Sequence, residues 1–253
     1  MNKADFKWIP VIVVGLSLLF AVNVTAEKLP KGNCDAPEPL TDLRHCVFWD
    51  RSFSGTDMRG VLLDGVSLRS TNLNDCNLTG ASLRRTDLRW SNFSRCQLAN
   101  ADLSHSNLFH TTFNGSTMDG ANLKNAYLFG SRLNKVRARN ADFTDAFMKD
   151  LNIAHSDLSG SIFRRGYMLR AVMIGSNLSG ADLEDANLTG SALEEADFSG
   201  ANLCRASLRG VTLDKTKFTG ANLDQADFTN AAHENMDGNR LPNAVVKERK
   251  QEQ

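Results

Sequence analysis

The 253-residue chain carries 29 basic and 29 acidic side chains, so its formal net charge is zero. That balance argues against a nucleic-acid binder, which needs surplus Lys and Arg to displace counterions, and against a strongly acidic mimic of nucleic acid. Hydrophobic residues make up 42% of the chain, enough for a core, and with only 5 Pro and 18 Gly the placement of each Gly carries information.

Residues 1–26 read as a targeting segment. Lys3 and Lys7 give a basic start, Ile9 to Val24 is an apolar run, and Val24, Thr25 and Ala26 put small residues ahead of Glu27. This is the pattern of a secretory signal peptide cut after Ala26, with an uncut membrane anchor, and hence membrane contact, as the alternative. The expected location is periplasmic or secreted. In an oxidising compartment Cys34 and Cys46, which flank a Pro-containing segment, can pair. A disulfide there would fix an N-terminal cap over 27–40 and contribute about 3 kcal/mol. Two unpaired thiols are the alternative.

From Thr41 to Asn230 the sequence repeats every five residues. The block centres, Leu43, Phe48, Phe53, Met58, Leu63 and onward to Phe228, are Leu, Phe, Met or Ile at all 38 positions except Ala138. Two residues before each centre stands a small residue, Ala, Ser, Thr, Cys, Val or Gly, except at Arg51 and Leu151. Of the 15 Gly in this stretch, 14 fall two residues after a centre. Five residues advance an α-helix by about 500°, which smears the centres around its surface. On a flat strand an odd period would alternate them between faces. The chain must therefore turn once per block, with a large and a small side chain inward and Gly at a corner of positive φ. Repeated corners wind a solenoid whose coils cover one another.

Blocks such as Ala181-Asp182-Leu183-Glu184-Asp185, Ala186-Asn187-Leu188-Thr189-Gly190 and Ala201-Asn202-Leu203-Cys204-Arg205 resemble the pentapeptide-repeat family. The resemblance implies an all-β, right-handed, quadrilateral β-helix with four blocks per coil. On that basis the 190 residues of 41–230 make about nine and a half coils, followed by a C-terminal cap and charged tail over 231–253. At ~4.8 Å per coil the rod is roughly 45 Å long. Family members include topoisomerase-protecting DNA mimics, but no insertion interrupts the five-residue phase here, and the charge is near neutral rather than strongly acidic.

Catalytic and cofactor sites are not expected. The inward positions offer no convergent polar groups. On a twenty-residue coil His105, His110 and His155 fall on three faces, and His45 and His233 lie at opposite ends, so no shared metal is expected. Asp recurs before the centres, as at Asp182 and Asp227, where it is expected to hydrogen-bond turns or meet water. Cys76 and Cys96 share an inward register twenty residues apart and are expected to be two buried small residues rather than a bridge. Cys204 should face outward as a free thiol.

Four-fold coiling also assigns the surface. Within residues 41–230 seven aromatic residues are not block centres: Trp49, Trp90, Phe109, Tyr127, Phe129, Phe147 and Tyr167, and all belong to the face of Leu108, Leu128 and Met148. Tyr127, Phe147 and Tyr167 should stack as a ladder, with Phe109, Phe129 and Leu169 in the next column. Such a patch suggests an interaction face, for an unknown protein partner or for self-association; rings that merely stabilise neighbouring coils are the alternative. Charge is segregated too: residues 41–139 sum to +5 and residues 140–230 to −5. The functional expectation is an exported, non-enzymatic interaction scaffold using the aromatic face, without nucleic acid. The alternative is a DNA-mimic protein that binds and regulates a type II topoisomerase.

Overall fold

The computed structural model describes residues 29–232, all of them in one solenoid and its N-terminal cap. The targeting segment 1–26, the first two residues of the expected cap, and the tail with His233 lie outside the described residues.

Each coil is twenty residues. Parallel bridges link Asp42 to Leu62, Leu62 to Ser82, Ser82 to Asp102 and onward in the same step, and equivalent columns run through Asn77, Tyr127 and Asn152. Extended pairing never lengthens into a continuous strand among the described residues, because two of every five residues turn. What remains is three extended residues per side, bridged at the residue before the centre.

The hydrogen bonds of one block account for this economy. Leu63 donates its N–H to the Ser82 carbonyl of the next coil at 2.7 Å, and Gly65 donates to Arg84 at 2.8 Å. Ser82 donates back to Val61 at 2.9 Å, and Val66 closes the corner onto the Leu63 carbonyl at 3.0 Å. One N–H per block, on the residue after the centre, is left over. Asn or Asp before the centre satisfies it: Thr79 donates to Asn77 Oδ1 at 3.1 Å and Ser104 to Asp102 Oδ1 at 3.0 Å. Buried or half-buried backbone donors need such partners, which is why Asn and Asp recur there.

The corner residue has φ between 53° and 72° from Leu40 to Asn230, with His45 the exception. Gly occupies 14 of these corners and other residues 24, so the left-handed backbone is set by the coil rather than by Gly alone. Gly is demanded where the residue one coil earlier leans across it. A Cβ on Gly130 would lie 2.6 Å from Cε1 of His110, and one on Gly120 would lie 2.6 Å from Asn100 Oδ1.

Both inward positions are buried along most of the rod, including Ala138 and Leu151, each fully so, while Arg51, Thr56 and Ala221 are half-buried. Several polar residues at the small position donate to a carbonyl of the preceding coil, as Thr71 does to Phe48 at 2.8 Å and Thr111 to Leu88 at 2.7 Å, whereas Ser106, Ser116 and Ser161 donate to the preceding centre of their own coil. Cys76 and Cys96 play the same part. Their thiols are free and reach the Phe53 and Leu73 carbonyls at 2.7 and 2.6 Å. The neighbouring Cys76 sulfur and burial together push the Cys96 thiol above its ordinary range.

Arg51, the charged exception at a small position, turns out toward the cap. Its guanidinium meets Asp35 at 2.5 Å and the Cys34 carbonyl at 3.3 Å. Cys34 and Cys46 are joined by a disulfide with Cα atoms 5.5 Å apart, and Gly32 donates to the Asp42 carbonyl at 3.1 Å. The first coil is thereby covered.

Candidate functional site: an aromatic ladder on one face

The residue before each centre projects outward, and on one face this column reads Asp87, Asn107, Tyr127, Phe147, Tyr167, Asn187. Successive members are bridged, so their side chains stand one above the next. Tyr127 and Phe147 stack with centroids 5.0 Å apart and planes 7° from parallel; Phe147 and Tyr167 stack at 5.0 Å and 17°. In the adjoining column Phe109 and Phe129 stack at 5.5 Å and 7°. The two columns touch through Phe109 with Tyr127 at 6.4 Å and Phe129 with Phe147 at 6.5 Å. Trp90 closes one end, edge-on to Phe109 at 5.6 Å.

Six rings from Trp90 to Tyr167 are thus one contiguous array. Trp49 shares their face but stands apart, 64% exposed, across an open groove lined by Ser67, Arg69 and Asp87. Phe109, Phe129, Phe147, Tyr167 and Leu169 are half-buried because each ring covers its neighbour, so the surface they offer consists of ring edges. Tyr127 and Trp90 remain the most open members, at 39% and 46%.

Aromatic residues at this position forgo a hydrogen bond. Elsewhere in the column Asp87 accepts from the Arg89 N–H at 3.3 Å, Asn107 from Phe109 at 3.2 Å and Asn187 from Thr189 at 3.0 Å. The equivalent N–H groups of Phe129, Lys149 and Leu169 have no acceptor among the described residues. A net contribution of about 0.5–1.5 kcal/mol is given up at each step, against which ring stacking contributes about as much per pair.

The rim of the array is cationic. Arg69 lies 4.4 Å over the Trp90 ring and Arg89 5.8 Å from it, while Lys149 is 5.7 Å over Phe129. Arg89 also holds Asp87 at 2.6 Å and Arg170 holds Asp150 at 2.8 Å. These guanidiniums keep both carboxyls below the usual carboxylate range. Away from this face, cross-coil pairs such as Arg95 with Asp75, Arg165 with Asp145 and Arg205 with Asp185 take up many of the charges behind the axial gradient. Each is solvent-exposed, where water and salt screen the attraction.

The other residues singled out in the sequence lie elsewhere. Cys204 is half-buried with a free thiol, accepting from Arg205 Nη1 at 3.3 Å. His105, His110 and His155 occupy corners on three faces. One grouping escaped the sequence reading: Nε2 of His45 lies 3.6 Å from Cys34 Sγ and 3.7 Å from Cys46 Sγ. Adjacency to Cys46 was the available signal, but the fold of the cap, not the spacing, brings Cys34 to it.

Family models for pentapeptide repeats match most of the rod. The model described as pentapeptide repeats (8 copies) covers residues 41–80, 71–108, 152–190 and 191–231, and the pentapeptide repeat region covers 91–163. Among solved structures, the chain is similar to HetL, a pentapeptide repeat protein involved in heterocyst differentiation regulation from the cyanobacterium Nostoc sp. strain PCC 7120. That likeness has 25% identity and a TM-score of 0.67, over 81% of this chain and 93% of that one. A weaker likeness, at 20% identity and a TM-score of 0.46 over 78% of this chain and 89% of that one, is to QnrB1, a plasmid-mediated fluoroquinolone resistance protein. Another, at 26% identity and a TM-score of 0.31 over 45% of this chain and 68% of that one, is to a thylakoid-lumen pentapeptide repeat protein of Arabidopsis thaliana. No curated protein matches the sequence. With the family models spanning residues 41–231 and the coil register of twenty running through the same residues, the chain belongs to the pentapeptide-repeat family.

Proposed function

We propose that the protein is an exported, non-enzymatic scaffold that binds another protein surface, a partner or a second copy, through the ring edges between Trp90 and Tyr167. The observation that carries this reading is the substitution of three successive turn-satisfying positions by Tyr127, Phe147 and Tyr167. A rod selected only for stability has Asn or Asp available there, as it uses at Asn107 and Asn187. The cationic rim of Arg69, Arg89 and Lys149 suits a partner with carboxylates around an apolar centre. Export rests on Lys3, Lys7 and the apolar run to Val24. The DNA-mimic alternative is weaker, because it needs a dense acidic surface and here acidic side chains such as Asp75, Asp145 and Asp185 are paired with Arg across coils.

The test replaces Tyr127, Phe147 and Tyr167 together with Asn, which restores a turn acceptor while removing the rings. Association, read by sedimentation velocity of the purified chain and by crosslinking in intact cells, should fall at least about tenfold, the loss that 1.4 kcal/mol produces. The far-ultraviolet spectrum should stay unchanged. Undiminished association in both measurements would end the reading.

A further inference from the structure

The cap brings together the sulfurs of Cys34 and Cys46 and Nε2 of His45, all within 4.8 Å of one another. We propose that, once the disulfide is reduced, these three residues form a thiol-gated site for Zn²⁺.

The geometry carries the inference. Tetrahedral Zn²⁺ holds thiolate sulfur at about 2.3 Å and imidazole nitrogen at about 2.0–2.1 Å, which places sulfur and nitrogen ~3.6 Å apart. His45 Nε2 already stands 3.6 Å from Cys34 Sγ and 3.7 Å from Cys46 Sγ. The imidazole is therefore at ligand spacing from both sulfurs, and only the two sulfurs must part. Contacts other than their bond also hold this framework. Cys46 is buried and donates its N–H to the Leu43 carbonyl at 2.9 Å. The Cys34 backbone is held by Arg51, whose guanidinium also pairs with Asp35. His45 is exposed, so the three groups are open to solvent on its side, from which a water can supply a fourth ligand. Two thiolates and one imidazole select a borderline-soft metal such as Zn²⁺ over Mg²⁺ or Ca²⁺.

The chemistry balances in two steps. A dithiol reductant gives two electrons and two protons to the Cys34–Cys46 bond, leaving two protein thiols and the oxidised dithiol. Zn²⁺ then displaces the two thiol protons, and neutral His45 contributes the lone pair of Nε2. Oxidation runs the sequence backward and releases the metal, so the cap exchanges one clasp for another.

The experiment uses the full-length chain carrying Cys204→Ser, kept anaerobic with a non-thiol reductant, and titrates Zn²⁺ against a chromophoric chelator. One equivalent per chain is expected for the reduced protein and none for the oxidised one. Co²⁺ in place of Zn²⁺ should give visible bands of tetrahedral intensity with sulfur-to-metal charge transfer in the near ultraviolet. His45→Ala keeps both cysteines and the oxidised fold. It should weaken binding by more than the roughly 10–100-fold that loss of an outer-shell partner causes. Cys34→Ser with Cys46→Ser should abolish the charge-transfer bands. Equal binding by the oxidised and reduced chains, equal binding by His45→Ala, or stoichiometric binding that survives loss of both cysteines would each overturn the proposal.

Discussion

Phe147→Ala is the sharpest probe of the aromatic array, because Phe147 is the rung with ladder neighbours on both sides. It stacks on Tyr127 and on Tyr167, each at 5.0 Å, and touches Phe129 at 6.5 Å. Two well-formed pairs at about 0.5–1.5 kcal/mol each give an expected loss of about 1–3 kcal/mol. Tyr167 has a single ring contact, with Phe147, so Tyr167→Ala should lose about half as much. Phe147→Asn separates packing from hydrogen bonding. It forfeits the same stacking but offers the Lys149 N–H an acceptor, recovering about 0.5–1.5 kcal/mol. The expected order of stability is wild type, then Asn, then Ala. Urea unfolding followed by far-ultraviolet circular dichroism measures this, comparing midpoints, since a solenoid can unfold in segments. Equal losses for Phe147→Ala and Tyr167→Ala would falsify the additive ladder. A Phe147→Asn variant no more stable than Phe147→Ala would show that the missing turn acceptor has no energetic weight.

Two further expectations concern the corners and the ion pairs. Gly130 and Gly180 have φ of 63° and 65°, but a Cβ on Gly180 meets nothing within 4 Å while one on Gly130 meets the His110 ring. Ala at either position should lose about 1–2 kcal/mol to left-handed backbone strain. Ala at 130 should lose more, because His110 must leave its edge contact with Phe109 at 4.2 Å; equal melting temperatures would contradict this. Hydrogen bonds from Arg95, Arg89, Arg165, Arg170 and Arg205 hold Asp75, Asp87, Asp145, Asp150 and Asp185 below the usual carboxylate range. Folded values below the unfolded one mean that their contribution is fully present above about pH 4 and is lost as pH falls through the folded values. Melting temperature should therefore hold steady from neutral pH down to about 5 and fall below 4, less steeply at high salt. A steep fall between pH 8 and 6 would show that other groups control stability.

Much of the rod was legible because its grammar is local. Five-residue spacing fixed which side chains go in, and the corner of positive φ followed from Gly at Gly80, Gly120 and Gly180. The stack of Tyr127, Phe147 and Tyr167 followed once twenty residues made a coil. What stayed hidden depends on contacts between unlike positions. Trp49 shares the face in sequence, yet it lines a groove with Ser67, Arg69 and Asp87 and makes no ring contact among the described residues, while Arg69 lies over the Trp90 ring. The left-handed corners at His155 and Asp185 obey no composition rule, because coil closure imposes that backbone on whatever residue arrives. His45 stands in the first block of the repeat beside a cap that lies outside it, and no periodicity says which cysteines it meets.

The twenty-residue register has a consequence for how such a gene can change length. Three of every five backbone N–H groups around a coil donate to a neighbouring coil, as those of Leu62, Leu63 and Gly65 do, so no side of the square can be lengthened alone. Removing twenty residues shortens the rod by one storey and leaves every column above still aligned with the column below. Removing five keeps the inward pattern intact and the chain foldable, but rotates everything downstream by a quarter turn. A five-residue deletion between Gly130 and Asn140 would carry Phe147 and Tyr167 round to the next wall, away from Tyr127. Surface identity in this protein is thus written modulo twenty while foldability is written modulo five, and selection on the face can be told from selection on the core by which unit the insertions respect.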